Sequence, residues 1–244
     1  MIPTMIYGRA INNATLTFSG QPPVFGSVTA ISDDLTSTFF QGNGQFNYLV
    51  DQDYSVEGLA VFYDAASSGA VSLIYGGTTL ATINIAAGES GIDRATFGTV
   101  NVTAATTLTV LITGSVKIRE VVVGRVVQPE LGQYSGLIFP TFQGGNKIGN
   151  PRQVNASMMP SRIKRADRMS TLDIQYMTRS FFNNTWKPFA SHAVRFPFYY
   201  DAGDGRGSLC FAEQMNPPQH SGVEDRLDIS WKLRHKVAEK WRPL

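Results

Sequence analysis

The sequence predicts an all-β fold, and three observations carry that expectation. Short runs of Val, Ile, Thr, Tyr and Phe recur along the chain, separated by Gly, Asn, Asp and Ser. Several of these runs alternate apolar and polar residues with a period of two, the mark of a half-buried strand. Before residue 160 no segment holds a 3.6-residue apolar period. Regular short strands with turn signals between them point to a β-sandwich or jelly roll over residues 1–128. An irregular connection is expected over 129–160, and a second β-rich domain, suited to assembly and with at most a short helix, over 161–244.

In order along the chain, the expected strands of the first half are Ser55–Tyr63, Ala70–Tyr75, Thr78–Ile85, Ala95–Val102, Thr107–Thr113 and Val116–Val127. Gly76-Gly77 is a two-residue hairpin signal between the second and third. Residues 128–160 are punctuated by Gly and Pro and show little alternation, which reads as a long connection or domain boundary. In the second half, Met169–Met177 places Leu172, Ile174 and Tyr176 on one face. Asp225–Lys236 does the same with Leu227, Ile229, Trp231 and Leu233, so the two are expected partners in one sheet. Between them a short helix is expected around Ser180–Phe189, then a strand Val194–Tyr200, and across the turn DAGDGRG a hairpin partner at Ser208–Glu213.

Composition narrows the function classes. The chain has 244 residues, 43% hydrophobic and only 16% charged, with 11% aromatic residues. That is too apolar and aromatic for a disordered chain and enough to build a core without staples. Cys210 is the only cysteine, so an intrachain disulfide and a Cys-based zinc site are both excluded. No run approaches the ~18 apolar residues of a spanning helix, and the N-terminus lacks the basic and apolar regions of a signal peptide. The sequons at Asn13, Asn101, Asn155 and Asn183 then carry little weight. Net charge is +2, split as −4 over residues 1–128 and +6 over 129–244; this is too weak for a nucleic-acid footprint.

No catalytic or metal signature emerges. His192, His220 and His235 are not spaced as ligands, and His235 is expected at the solvent end of a strand. Cys210 sits in an apolar strand, where a free thiol acts as a small hydrophobe. The carboxylate pairs Asp33/Asp34, Asp51/Asp53 and Asp201/Asp204 fall in turns, where Asp serves the backbone. GGNKIG (144–149) lacks the phosphate-loop pattern, and the basic run Arg162, Lys164, Arg165 lacks interleaved aromatics. The expectation is a protein without cofactor, metal or enzymatic activity. Aromatics that look exposed, Phe39, Phe40, Phe139, Phe142, Phe181, Phe182 and Trp186, read as interface anchors, together with Arg162, Lys164 and Arg165.

Three stretches carry a family resemblance. ISDDLTSTFFQG (31–42), YSVEGLAVFYDAASSGAVSLIYGG (54–77) and SVKIREVVVGRVVQP (115–129) resemble the discoidin-type, galactose-binding-like jelly roll that opens a group of phage minor tail proteins. The second half, with STLDIQYMT followed by an aromatic PF…FPFYYD stretch, is similar to the same group. The resemblance implies a structural subunit of a tailed-phage tail, tail tip or baseplate. Such a subunit would be assembled in the bacterial cytoplasm, reside in the virion, and pack in a homo-oligomeric ring against other tail proteins. It implies as the alternative a carbohydrate-binding module for host attachment. The loop carrying Asp33, Asp34, Phe39 and Phe40 would then meet a host glycan or a neighbouring subunit.

Overall fold

The computed structural model describes residues 2–34, 38–64, 68–87, 90–130, 146–149, 162–166, 168–201, 207–222 and 225–236. It is mainly β, as the alternating pattern requires. The strands are β1 (Thr4–Tyr7), β2 (Thr15–Ser19), β3 (Phe25–Gly26), β4 (Phe40–Leu49), β5 (Tyr54–Asp64), β6 (Gly69–Tyr75), β7 (Thr78–Ile85) and β8 (Ser90–Val102). They continue with β9 (Thr107–Val127), β10 (Asn146–Gly149), β11 (Arg162–Ala166), β12 (Arg168–Thr178), β13 (Phe198–Asp201), β14 (Gly207–Met215), β15 (Gln219–His220) and β16 (Arg226–Lys236). Every strand pairing among the described residues is antiparallel.

The first half is a jelly-roll-like sandwich organised around β9. Along one flank β9 pairs with β4 and then β1; along the other it pairs with β6 and then β5. The two strands expected at Thr107–Thr113 and Val116–Val127 are one continuous strand. Gly114, at φ +80°, bends it without ending it. β6 and β7 form the expected hairpin, with Gly76 and Gly77 at φ +57° and +78°, the geometry of a type I′ turn. The sheet curves around a core of Val56, Leu59, Val61, Leu73, Val110 and Ile112 together with the ring cluster Phe18, Phe40 and Phe46. Phe40 is fully buried there and cannot serve as the surface anchor expected of it, because the period-2 register of β4 turns it inward with Phe46 and Tyr48.

The second half is one sheet covered by one helix. β12 and β16 pair directly, Leu172 opposite Trp231 and Ile174 opposite Ile229. The face assigned to Tyr176 is reversed: a bulge between Ile174 and Met177, with Tyr176 at φ +58°, inserts a residue. Met177 thereby takes the buried place and Tyr176 turns outward. The expected short helix runs as α1 (Arg179–Phe181), a π turn (Phe182–Trp186) and α2 (Lys187–Ala193). The Thr178 hydroxyl accepts from the Phe181 N–H and caps its start. The helix continues past the expected end, so the strand expected from Val194 starts at Phe198. Trp186, like Phe40, is fully buried and is no exposed anchor; with Phe189, Phe198 and Trp231 it fills the space between helix and sheet.

His235 also differs from expectation. Its position is in step with Ile229, Trp231 and Leu233, and it points inward, 5% exposed. The Ser170 Oγ lies 2.5 Å from its Nε2 and the Ser208 Oγ 2.6 Å from its Nδ1, with Cys210 Sγ at 3.1 Å. A buried imidazole is tolerated because both ring nitrogens find partners. Cys210 is buried as expected, and burial pushes its thiol up to about 12, away from nucleophilic use.

β1 joins the two halves. Met5 pairs with Val127 on one side and with Tyr200 on the other, so the chain's first strand completes the path β12-β16-β14-β13-β1-β9-β4-β2. Where β1 leaves the sheet the backbones nearly touch: a Cβ on Gly124 would lie 2.0 Å from the Tyr7 carbonyl oxygen. Across the same junction the Arg94 guanidinium holds the buried Asp201 carboxylate at 2.9 Å. Asp201, read from sequence as a turn residue, is a buried ion-pair partner. Within 129–160, expected to be irregular, Asn146–Gly149 is a strand paired with β11.

Candidate functional site

At this junction a cleft of about 440 Å³ opens. Four separate segments build it: the end of β1 and its following loop, the turn before β5, the C-terminal part of β9, and the end of α2. Each contributes polar or aromatic groups, notably Tyr7, Arg9, Tyr54, Arg125, His192 and Phe196.

The rim is held rigidly by its own hydrogen bonds. Arg9 Nη1 donates to Asp34 Oδ2 at 2.8 Å, and Arg9 Nε to Asn13 Oδ1 at 2.9 Å. Its guanidinium carbon lies 4.2 Å over the Phe196 ring centroid, a cation–π contact. Asn12 Nδ2 donates to the other Asp34 oxygen and to the Ser32 carbonyl, each at 3.0 Å, which ties loop 27–34 to the cleft. The Tyr54 hydroxyl donates to Asp51 at 2.9 Å. Asp53 accepts from the Ala104 N–H at 2.8 Å, the turn chemistry expected of these two carboxylates.

Deeper in, the Tyr7 ring lies 5.3 Å from both Phe189 and His192. Burial raises the Tyr7 phenol, against a lowering pull from the charge of Arg125. Burial lowers the His192 imidazole, against a raising hydrogen bond to the Pro197 carbonyl, so the ring is neutral at pH 7. A carbonyl only accepts, so His192 Nε2, at 3.2 Å, donates to Pro197 and the neutral Nδ1 is left as an acceptor.

The loop residues singled out from sequence are dispersed. Asp34 reaches the cleft rim through Arg9, whereas Asp33 accepts from the Thr38 hydroxyl at 2.7 Å. Phe39 is half-buried beneath the Lys117 ammonium, 4.0 Å from its ring centroid. Phe181 and Phe182 are half-buried on the second core. Arg162, Lys164 and Arg165 lie in β11, whose side chains are outside the described part, and Phe139 and Phe142 lie outside the described residues. Sequence reading missed Arg9, Tyr54 and Arg125. Arg125 carried a signal, as a lone cation between Gly124 and Val126 in an otherwise apolar strand end.

A second opening, of about 550 Å³, lies on the outer face of the first sheet beside Gln45, Asn47, Tyr75 and Thr109. Its polar groups are already bonded to one another, Gln45 Nε2 and Thr109 Oγ1 both donating to Asn47 Oδ1, at 2.8 and 2.9 Å. Among the described residues no three His, Cys, Asp or Glu side chains converge as a metal site, and no helix is long and apolar enough to cross a membrane.

No protein-family profile matches the chain, and no curated protein matches it in sequence. Solved structures resemble part of it. A pectin-binding carbohydrate-binding module aligns at 17% identity and TM-score 0.36, covering 46% of this chain and 89% of its own. Chitosan-binding module 1 from a chitosanase/glucanase of Paenibacillus sp. IK-5 aligns at 18% identity and TM-score 0.36, covering 49% and 99%. A family 32 module from Clostridium perfringens, in complex with GalNAc-β-1,3-galactose, aligns at 11% identity and TM-score 0.37, covering 48% and 99%.

Proposed function

We propose that the chain is a non-enzymatic carbohydrate-binding module and that the cleft at the junction of its two halves receives the sugar. One observation carries this reading: guanidinium, carboxamide, imidazole and phenol groups converge with apolar ring surface around a single open cleft of about 440 Å³. Pockets of this size hold small ligands, and a few placed polar groups on an apolar wall give orientation and specificity. Arg9 is already fixed by Asp34, Asn13 and Phe196, so binding would cost little side-chain ordering. The work asked of the cleft is recognition, and no bond is made or broken.

The test is a glycan array followed by calorimetry. Saturable binding of at least one glycan is expected, and Arg9→Ala should weaken it about tenfold or more, the equivalent of one lost charge-assisted hydrogen bond. An absence of saturable binding across the array would sink the reading.

A second reading, assembly within a tailed-phage particle, is favoured by the resemblance of 31–42, 54–77 and 115–129. It is also favoured by the exposed Val24 and Phe25, 60% and 63% accessible, at edge strand β3. The two readings are compatible, since an attachment module is itself a virion part. Mass spectrometry of purified particles decides the second.

A further inference from the structure

We infer that the ligand of the junction cleft is an acidic sugar whose carboxylate is received by Arg125; this rests on the carbohydrate-binding reading and narrows its ligand class. The inference comes from following each charge in the cleft to its partner. Arg9 is matched by Asp34 at 2.8 Å. The Asp53 carboxylate accepts from the Ala104 N–H, and the Tyr54 hydroxyl is held by Asp51. Glu57, on the strand beside Arg125, spends one oxygen on the Val126 N–H at 2.9 Å and the other on the Thr99 hydroxyl at 2.8 Å.

Asp53 and Glu57 are answered by neutral donors, and Arg125 is the cleft cation without an ion-pair partner among the described residues. Its charge pulls down the titration of the neighbouring Tyr7 phenol. Its Nε is buried and has no hydrogen-bond partner. An Nε–H buried without a partner is costly, and the guanidinium lines the cleft, where an anion would offset its charge. The planar fork of Arg matches a carboxylate bidentately, whereas a neutral hydroxyl can use only one of its N–H groups. The neutral His192 on the same cleft donates through Nε2 to Pro197, which leaves Nδ1 to accept from a ligand hydroxyl. A carboxylate acceptor beside hydroxyl donors is the pattern of a uronic or sialic acid. A neutral sugar would engage one N–H of the Arg125 fork, not the pair.

The experiment is calorimetric titration of the full chain with matched probes: trigalacturonate and its carboxyl-reduced galactotriose, trimannuronate, and sialyllactose against lactose. An acidic probe is expected to bind about tenfold or more tighter than its neutral counterpart, from one charge-assisted pair. Arg125→Gln should reduce its affinity to that of the neutral probe. Arg125→Lys should restore only part, since an ammonium keeps the charge and loses the fork. Should Arg125→Gln not fold, as read by circular dichroism, the wild-type chain still answers: added salt must weaken the acidic probe and leave the neutral one unchanged. Equal binding of acidic and neutral probes, sensitive to Arg9→Ala, overturns the acidic ligand and leaves carbohydrate binding standing. A sulfated trisaccharide that binds better than the uronates also overturns it. Failure of every probe and of the wider array removes both readings together.

Discussion

The two halves solve the same problem, a β-sheet with one face to bury, with different materials. In the first half the sheet curves over itself and fills its interior with Val, Ile and Leu, many of them β-branched, beside a small ring cluster. In the second half the sheet is open and one helix covers it. The gap is filled by large rings: Trp186 and Trp231 centroids are 4.9 Å apart, Phe189 stacks on Trp231 at 5.7 Å, and Phe198 meets Phe189 edge-on at 4.9 Å. A sandwich shares its burial among many small contacts, whereas a helix lid concentrates it in a few side chains. The second half should therefore be far more sensitive to single truncations.

The largest expected effect tests this contrast directly. Trp186→Ala should cost about 3–5 kcal/mol in urea unfolding, whereas Ile112→Val in the sandwich should cost about 0.5–1.5 kcal/mol. Comparable losses at the two sites would erase the distinction. Trp186→Phe should be much milder than the alanine, because the Trp186 indole N–H is buried without a partner and its removal forfeits no hydrogen bond.

Next in size is the junction. Gly124→Ala places a methyl 2.0 Å from the Tyr7 carbonyl, a backbone atom that cannot rotate away. A loss of about 1–3 kcal/mol or more is expected as β1 is pushed off β9. If the halves depend on each other through β1, one unfolding transition shifts as a whole. Two resolved transitions in calorimetry would make them independent units instead.

The smallest effect concerns His192. Its folded-state pKa is lowered from 6.5, chiefly by burial, so the unfolded chain binds the proton more readily. The stability linked to this residue is complete above about pH 6.5 and is lost as pH falls through the lower, folded value. His192→Gln should flatten that part of the melting temperature against pH. An unchanged slope would show that the acid sensitivity lies elsewhere.

Many strands were legible because period-2 alternation survives wherever one face of a sheet is buried, as in β7 and β16; β5, buried on both faces from Gly58 to Tyr63, shows instead as a continuous apolar run. Gly76-Gly77 announced its turn by the φ values that only glycine adopts freely. The failures have local causes. A one-residue bulge leaves no mark in composition, so Tyr176 and Met177 exchanged faces. His235 was in phase with Leu233, but its polarity suggested water, and two serine hydroxyls satisfy it inside. The rings of Phe40 and Trp186 looked like surface hazards only because their covering partners are distant in sequence. Loop residue Asp34 was singled out and does reach the cleft rim. The rest of the cleft was hidden because it gathers residues 7–9, 52–54, 125 and 192–196, which share no spacing.

The two-sided pairing of β1 has a consequence for biosynthesis. Thr4 is synthesised almost two hundred positions ahead of its cross-strand mate, Asp201. At roughly 5–20 residues per second the wait is on the order of ten seconds or more, during which one flank of that ribbon stays bare and open to foreign strands. The nascent polypeptide thus spends its most vulnerable interval holding a half-closed seam, and a cellular holdase that shields residues 4–7 would raise its yield more than one that shields the later hairpins.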